Sequence, residues 1–445
     1  MRAARRRAGA VRSAHRLRAT WTAFSRPLRI LGPGLITGAA DDDPSGIATY
    51  TQTGAQFGYG QLWTALFMLP FMTAVQEACA RIGAVTGTGL AAVIRVHYRK
   101  SVLYAVVALV LVANTINIGA DLGALAASAH LVVPLSAALW APIFAVSILL
   151  LEVFASYRAY ARVLKWLSLS LLAYLATALI VTEPWGDLLR ATFLPHIELS
   201  AGFFYIITGV LGTTISPYMF FWQASEEIEE EKQQHRIDPA GQVRLDRRLI
   251  RDLRIDTALG MLASEIATWS IIVVGATVLH RNGVTTVTTA AEAAKALEPL
   301  VHSFPHAGFL TKLIFATGVI GLGLLAVPVL AGSASYALSE AVNWSEGLDL
   351  KLPQAHGFYG VIAVATLVGL ALNFLGIDPI QALVFTAVFN GVAAVPLIFL
   401  IAKIGESERI MGEYRSGVLS RCLVWFTCGA MGVSALFLFA TLAHF

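Results

Sequence analysis

Two apolar segments of the chain are interrupted by short motifs whose residue types suit the binding of an ion. The first motif is Gly38-Ala-Ala-Asp-Asp-Asp-Pro-Ser-Gly46, and the second is Gly212-Thr-Thr-Ile-Ser-Pro-Tyr218. Proline removes a backbone donor and clashes with the preceding helical turn, while glycine relaxes the backbone, so each segment should split into two half-helices. The carbonyls freed at membrane depth need a protein-lined cavity, and paired helix breaks mark a transporter's substrate site. The acids of the first motif favour a cation.

Asp43 is the first candidate ligand, because it lies directly before Pro44 inside an apolar segment. An ionised carboxylate at the centre of a bilayer costs at least about 2.5 kcal/mol unless its charge is compensated. Asp before Pro is also a strong helix-start signal, so Asp43 could cap the second half-helix at the same time. Only one or two of three consecutive acids can face a common cavity. Asp41 and Asp42 could instead pair with Arg or line the outer path.

The composition places both motifs in a membrane. The chain has 445 residues, of which 57% are hydrophobic and 13% charged, and its mean hydropathy is +0.69. Soluble globular proteins are only about 45–50% apolar. The sequence therefore predicts an all-α polytopic membrane protein with eleven transmembrane helices. Most of them reach the length of about 20 residues that is needed to cross the hydrocarbon core. The predicted spans lie near 27–52, 60–80, 101–128, 134–151, 163–182, 199–223, 256–279, 308–338, 355–375, 378–402 and 419–444.

The distribution of basic residues predicts the orientation. If the N-terminus is cytoplasmic, all of the 32 Lys and Arg fall on the cytoplasmic side except Arg190, Arg281, Lys295 and Lys312. Translocation of positive loops is disfavoured, so this bias indicates a multi-pass protein of the inner (plasma) membrane with a basic cytoplasmic tail at residues 1–26. The net charge of +4 thus has a topological explanation, and we expect the lipid bilayer, not nucleic acid, as its partner.

The two breaks also predict an internal repeat. Four spans lie between them, so the first span enters the membrane from the cytoplasm and the sixth enters from outside. Residues 27–182 and 199–402 would then form five-helix repeats of inverted topology, with the binding site between them. Residues 419–444 would add an eleventh helix.

Three segments of the chain are similar to motifs of the Nramp divalent-metal transporters. The segment Gly32–Gly46 resembles one that ends in Asp-Pro-Gly-Asn in typical members, Gln76–Gly87 shares a Gln, Ala-Arg, Gly, Thr-Gly pattern, and Ser216-Pro-Tyr218 stands where the family has Met-Pro-His. The resemblance covers roughly residues 27–402. It implies the LeuT-like inverted 5+5 fold, transport of a divalent metal cation by alternating access, and no bound cofactor.

Two departures from the family pattern affect the choice of ion. This chain has Gly46 in place of the family's Asn and Ser216 in place of the family's Met. Soft sulfur selects transition metals, whereas carboxylate, carbonyl, hydroxyl and water suit Mg2+, which dehydrates reluctantly and needs a roomy site. The chain thus resembles the Nramp-related magnesium transporter branch. We predict transport of Mg2+, with Mn2+ accepted.

Residues around the second break could complete the ligand shell. The hydroxyls of Thr213 and Thr214, or the carbonyls of Gly212 and Thr213, are candidate ligands, although membrane Thr hydroxyls equally often bond back to a preceding carbonyl. By resemblance, Tyr218 takes an orienting role of the family's His. Gln223 lies seven residues beyond Ser216, two helical turns along the same face, and is a candidate for gating or for lining a water path.

The tenth and second spans supply further candidates. Asn390 before Gly391 is the preferred metal-site amide of the tenth span, with Gln381 and simple helix–helix hydrogen bonding as alternatives. In the second span, Gln76 and Glu77 lie on the predicted pathway. Glu77 could form a gating ion pair with Arg81, one helical turn away.

Proton coupling is predicted to be weak or absent. Typical family members carry an Asp followed three residues later by a Glu in the third span, but here Asp121 is followed by Ala124. Asn114, Asn117 and Asp121 share one helical face, so a polar stripe exists without the second titratable group. Glu265 in the seventh span is interpreted as a cavity acid or as a partner of Arg251 or Arg254.

Three competing functions are less well supported by the sequence. A proton-coupled Mn2+ or Fe2+ importer is disfavoured by Gly46, Ser216 and Ala124. A sodium-coupled amino-acid transporter of the same fold would not need an acidic first break. An intramembrane hydrolase would need a motif such as His-Glu-x-x-His, which the sequence lacks, so we expect no enzyme activity. The three cysteines show no zinc or disulfide spacing, and no obligate protein partner is evident.

Overall fold

The computed structural model describes residues 33–154, 171–181, 185–233, 236 and 245–442. The predicted basic tail and most of the predicted fifth span lie outside these residues. Within the described part, every regular element is helical. The α-helices in chain order are α1 (Pro33–Asp41), α2 (Pro44–Phe57), α3 (Trp63–Thr86), α4 (Leu90–His97), α5 (Lys100–Val132), α6 (Ala137–Phe154), α7 (Leu172–Ile180), α8 (Trp185–Phe193), α9 (Ala201–Thr214), α10 (Pro217–Gln233), α11 (Arg247–Val274), α12 (Ala290–Lys295), α13 (Glu298–Val301), α14 (Ala307–Val342), α15 (His356–Leu372), α16 (Pro379–Glu406), α17 (Glu408–Met411) and α18 (Val418–Leu442).

Nine helical segments of the described chain are long and apolar enough to cross a membrane. The broken first span does not count among them because each of its halves, α1 and α2, is too short alone. Helix α7 covers the described end of the predicted fifth span. The nine segments are Trp63–Thr86, Lys100–Val132, Ala137–Phe154, Ala201–Lys232, Arg247–Asn282, Ala307–Val342, His356–Leu375, Pro379–Glu406 and Val418–Thr441.

Both helix breaks occur where the sequence predicts them. Helix α1 ends at Asp41 and α2 begins at Pro44. In the sixth span, α9 ends at Thr214 and α10 begins at Pro217. In both cases the proline is the first residue of the second half-helix, where its missing N–H costs no intrahelical bond.

The long polar connection after the sixth span is shorter than the sequence predicts. The spans predicted at 199–223 and 256–279 leave a long cytoplasmic loop between them, at residues 226–254, but α10 continues to Gln233 and α11 begins at Arg247. Glu226 and Glu227 are buried rather than solvated. The start of α11 is capped by Asp246, which accepts a hydrogen bond from the Leu249 N–H at 2.6 Å. The loop prediction was wrong because composition does not report helix packing.

Close backbone contact fixes α1 against α11. A Cβ atom on Gly38 would lie 2.4 Å from the Gly260 carbonyl carbon, and one on Gly34 would lie 2.6 Å from the Thr257 nitrogen. The Gly34 N–H donates to Asp256 Oδ2 at 2.7 Å. Small residues four apart allow two membrane helices to approach this closely. The first half-helix is therefore held by its glycine face.

The long helices α5 and α14 form the wall beside the first break. Gly323 of α14 packs against Leu125 of α5 and against Pro44, since a Cβ there would lie 1.9 Å from Leu125 Cδ1 and 3.3 Å from Pro44 Cγ. This contact brings the polar stripe of α5 to the start of α2.

Candidate ion-binding site at the two helix breaks

Asp43 occupies the gap between α1 and α2 and caps α2. Its Oδ1 accepts the Gly46 N–H at 2.8 Å and the Ser45 hydroxyl at 2.6 Å. An N-cap side chain satisfies one of the free N–H groups at a helix start, so this part of the carboxylate stabilises the break itself. The predicted capping role of Asp43 is confirmed.

The second carboxylate oxygen of Asp43 points between α5 and α10. Asn117 Nδ2 donates to Oδ2 at 3.2 Å, and the Tyr218 hydroxyl lies 3.4 Å from the same oxygen. The Asp43 side chain is buried, with 1% of the residue exposed. Three donors and the nearby Tyr218 hydroxyl, from three segments, therefore surround one carboxylate.

The second break satisfies its own carbonyls. The Ser216 hydroxyl lies 2.7 Å from the Gly212 carbonyl oxygen and 2.9 Å from that of Thr213, and it donates toward both. The back-bond that was an open alternative for the two threonines is thus made by Ser216. Gly212 packs directly on α16, because a Cβ there would lie 2.0 Å from the Ala387 carbonyl oxygen.

Hydroxyl groups connect the two breaks. Ser45 and Thr213 share a hydrogen bond of 3.2 Å, and Tyr50 and Thr214 share one of 2.8 Å. From the second half of the sixth span, the Tyr218 hydroxyl donates to the Ala40 carbonyl oxygen at 2.9 Å. The two interrupted helices therefore meet through neutral oxygen groups next to the Asp43 carboxylate.

The absence of a side chain at Gly46 lets these groups approach one another closely. A Cβ there would lie 3.3 Å from Thr213 Oγ1, 3.2 Å from Tyr50 Cε2 and 3.5 Å from the Asp41 carbonyl oxygen. An Asn at this position would press on Tyr50 and Thr213. The structure thus brings Asp43, Gly46, Thr213, Thr214, Ser216 and Tyr218 into one neighbourhood.

The other predicted pathway residues are buried, and most have unused polar atoms. Among the described residues, the side-chain amides of Gln76 and Gln223 and the carboxylate of Asp121 have no hydrogen-bond partner. Asp42 lies in the first break with Oδ1 unpartnered, and Asn390 lies on α16 with Nδ2 unpartnered. These groups are available to water or to an ion, and Asp42 and Asp121 lie within electrostatic range of Asp43.

The predicted ion pair between Glu77 and Arg81 in the second span is confirmed, and it belongs to a network that includes further residues. Arg81 Nε donates to Glu77 Oε1 at 2.9 Å, and Arg254 Nε donates to the same oxygen at 2.9 Å. Arg81 also donates to the Tyr414 carbonyl oxygen and to the Ser416 hydroxyl. Arg254 thus pairs with Glu77 and not with Glu265, so this alternative for Glu265 is not formed, while its interpretation as a cavity acid stays a prediction.

Sequence reasoning left out two donors to Asp43. From the sequence, Asn117 is predicted only to belong to the polar stripe of α5, and no role is predicted for Ser45. Both carried a signal. Ser45 stands two residues after an N-cap Asp, where a hydroxyl can reach the cap, and Asn117 precedes Asp121 by one helical turn.

The fold and the two breaks define the class of this protein: it is a multi-span membrane protein built around two discontinuous helices, the arrangement that marks the substrate site of a membrane transporter. The family model described as Nramp, natural resistance-associated macrophage protein-like, matches residues 34–441. The chain belongs to the Nramp family. The resemblance found in its motifs is thereby confirmed and extends to the last span.

Known proteins agree with this placement. The divalent metal cation transporter MntH of Chromohalobacter salexigens is 27% identical over 405 residues, which are 88% of this chain and 85% of the relative. The fold is similar to the crystal structure of the Eremococcus coleocola manganese transporter in complex with an aromatic bis-isothiourea substituted compound, with a TM-score of 0.74 at 16% sequence identity. The match covers 93% of this chain and 86% of the transporter chain. A nucleobase-cation-symport-1 family transporter in a closed conformation has a TM-score of 0.60 at 15% identity, and the match covers 93% of this chain and 91% of that transporter. The predicted LeuT-like fold is confirmed.

Proposed function

We propose that this chain carries divalent metal cations across the membrane by alternating access, with Mg2+ as the main substrate and Mn2+ also accepted. The observation that supports this proposal is the environment of Asp43: one carboxylate surrounded by neutral oxygen and nitrogen groups, with no side chain at Gly46. The names of the relatives, which are divalent metal cation transporters, support the general class.

A partly hydrated ion suits this environment better than a bare one. Within the described residues, no three His, Cys, Asp or Glu side chains converge closely enough to hold a metal ion among them. Mg2+ usually keeps several waters and uses one or two carboxylates, so Asp43, Ser45 and Thr213 could bind it largely through water. The Ser216 hydroxyl stands where typical members have a thioether, which removes the preference for a softer metal.

Competition in proteoliposomes tests the choice of ion. Uptake of Mn2+ is followed with a fluorescent indicator inside the vesicles while Mg2+ is added outside at millimolar concentration. We expect Mg2+ to suppress Mn2+ uptake strongly, because both ions use the same site. Mn2+ uptake that is unaffected by Mg2+ would contradict the proposal and favour a manganese importer like the relatives named MntH.

The burial of the site is consistent with a step in alternating access. On the predicted outer side, Thr49 of α2 packs against Gly209, where a Cβ would lie 3.4 Å from Thr49 Cγ2 and 3.2 Å from Val388 Cγ2. On the predicted cytoplasmic side, the Glu77 network joins α3 to α11. We propose that these two contacts open in turn.

Cavities of different chemistry lie beyond the two contacts. The outer cavity, of about 390 Å³, is lined by neutral groups that include Gln52, Gln56, Thr285 and Gln381. The alternative metal-site amide, Gln381, therefore lies in this outer wall. The inner cavity, of about 350 Å³, is rich in carboxylates, and its lining comprises Pro33, Glu227, Glu230, Glu231, Arg236, Asp246, Arg248, Leu249, Asp252, Leu253 and Asp256. A negative inner mouth would attract cations.

We also propose that transport proceeds with weak or no proton coupling. Asp121 is buried and is followed by Ala124, and Tyr218 stands where the family has His. A pH-sensitive dye trapped in proteoliposomes measures coupling directly. We expect no acidification of the lumen that depends on metal, and such acidification would contradict this part of the proposal.

The predicted orientation completes the proposed function. We propose that the protein lies in the inner (plasma) membrane with its N-terminus in the cytoplasm, because the basic residues cluster on that side. A reporter enzyme that is active only in the cytoplasm, fused before Met1, should be active in cells. An inactive N-terminal fusion, with the same reporter active after Phe445, would reverse the orientation.

A further inference from the structure

A second group of oxygen atoms lies on the opposite side of the first break from the Asn117 and Tyr218 contacts of Asp43. The Ser264 hydroxyl of α11 donates to Asp41 Oδ2 at 2.5 Å, so Asp41 faces α11 rather than α5 or α10. Asp42 follows it in the break, and Glu265 follows Ser264. The end of the first half-helix thus presents a carboxylate toward α11.

Most oxygens of this group have no partner. In the described part of the chain, Asp41 Oδ1, Asp42 Oδ1, both carboxylate oxygens of Glu265 and the hydroxyl of Thr268 make no hydrogen bond. Thr268 stands one helical turn after Ser264 and therefore on the same face of α11. Glu265 is 4% exposed and lies within electrostatic range of Asp41 and Asp42, so its unpartnered carboxylate is buried near the break.

Three buried carboxylates without a basic partner need an explanation. Within the described residues, none of these three carboxylates (Asp41, Asp42 and Glu265) forms an ion pair. The nearby candidate Arg254 pairs with Glu77 instead. Buried charges in a membrane are paired, are neutralised by protons or bind a cation. The donor set is entirely oxygen, which suits a hard cation such as Mg2+.

We propose that Asp41, Asp42, Ser264, Glu265 and Thr268, which we call the α11 pocket, bind a second divalent cation that is distinct from the ion at Asp43. The carboxylates do not converge closely enough to share a bare ion. The ion therefore keeps several of its waters, as Mg2+ does in most protein sites.

Tyr50 lies beside both sites. A Cβ on Gly46 would contact the Tyr50 ring, and the Tyr50 hydroxyl is hydrogen-bonded to Thr214 at 2.8 Å on the side of the second break. Tyr50 also lies within electrostatic range of Asp41, Asp42 and Glu265. The α11 pocket and the Asp43 site thus occupy adjacent positions without sharing a side chain. This inference goes beyond the proposed transport function.

Counting bound ions tests the α11 pocket. The probe is Mn2+, measured by equilibrium dialysis and by electron paramagnetic resonance on the purified full chain. The wild type is expected to bind two ions per chain, and Glu265→Gln, which keeps the side-chain shape, is expected to bind one. Glu152→Gln is the matched control, because Glu152 is also a buried carboxylate without a partner but lies on α6, and it should leave the count unchanged.

A second variant covers the case in which Glu265→Gln fails to fold. Ser264→Ala leaves all three carboxylates in place and should weaken binding of the second ion several-fold while the first ion binds as before. A wild type that binds only one ion, with unchanged binding in both variants, would overturn the proposal. An infrared band of a protonated carboxylic acid that disappears in Glu265→Gln would overturn it as well, because the pocket would then hold protons.

The same count separates this inference from the proposed function. Asp43→Asn should remove one ion and leave the ion of the α11 pocket bound. If Asp43→Asn changes nothing while Glu265→Gln removes an ion, the Asp43 site is refuted and the α11 pocket stands.

Discussion

The two helix breaks resolve the same backbone problem by different chemistry. At the first break a charged side chain, Asp43, caps the new helix and draws its other donors from α5 and α10. At the second break a neutral side chain, Ser216, bonds to carbonyls of its own span. Only the first break therefore carries charge that a cation can neutralise. At the second break, the hydroxyl of Ser216 occupies two carbonyl oxygens that could otherwise bind an ion.

This difference assigns unequal roles to the breaks. The carboxylate of Asp43 supplies the attraction for the ion, and its present donors, Asn117 and Tyr218, would be replaced when an ion binds. The carbonyls of Gly212 and Thr213 become ligands only if Ser216 releases them. The comparison thus predicts large effects of substitutions at the first break and graded effects at the second.

The largest effect is expected for Asp43→Asn. Asn caps a helix about as well as Asp, so the break should persist while the charge is lost. We expect Mg2+ uptake by proteoliposomes to fall at least about 100-fold, which corresponds to about 2.7 kcal/mol. Asp378→Asn is the matched control, because Asp378 also precedes a proline and caps α16 by accepting the Ile380 N–H at 2.9 Å. Equal losses in both variants would show that capping, not charge, matters.

An intermediate effect is expected for Gly212→Ala. The new Cβ would lie 2.0 Å from the Ala387 carbonyl oxygen and 2.2 Å from the Gly391 nitrogen, so α9 must move away from α16. Overpacking of this kind costs about 1–3 kcal/mol, and we expect lower thermal stability in detergent together with weaker Mg2+ binding.

Gly429→Ala provides the comparison for that change. Gly429 is in α18 with no atom within 4 Å of an added Cβ, so the same substitution should stabilise the helix by about 0.5–1 kcal/mol. If Gly212→Ala behaved in the same way, the close approach of the second break to α16 would be wrong.

The smallest effect is expected for Ser216→Ala. Loss of the hydroxyl should lower the free energy of unfolding by about 1 kcal/mol. Because the Gly212 and Thr213 carbonyls would then be free, Mg2+ affinity measured by calorimetry should rise, by up to about fivefold. Ser270→Ala is matched to it, since the buried Ser270 hydroxyl donates to the Ile266 carbonyl oxygen at 2.7 Å in α11. Unchanged affinity in Ser216→Ala would remove these carbonyls from the proposed ligand set.

The sequence was sufficient for the breaks because their cause is local. Pro44 and Pro217 each interrupt an apolar run, and Asp43 is a cap signal that needs no tertiary information. The spans followed from apolar length, and the pairing of Glu77 with Arg81 followed from helical spacing. These features depend on residues that are near one another in the chain.

What the sequence missed depends on contacts between distant segments. The helix through Glu226 and Glu227 is formed in spite of its charge, and the commitment of Arg254 to Glu77 left Glu265 without a partner. The contact of Asp41 with Ser264 joins residues more than 200 positions apart, which no local pattern reports. The choice between Mg2+ and Mn2+ also remains a proposal, because it depends on how many waters the site admits.

The most direct test of the central claim is to count the waters on an ion bound at Asp43. Mn2+ bound to the Glu265→Gln variant, in which the α11 pocket is disabled, can be measured by electron–nuclear double resonance in oxygen-17 water. We predict that the ion keeps several water ligands and that its signal is lost when Asp43→Asn is added. A bound ion without water ligands, or one that is unaffected by Asp43→Asn, would contradict the account.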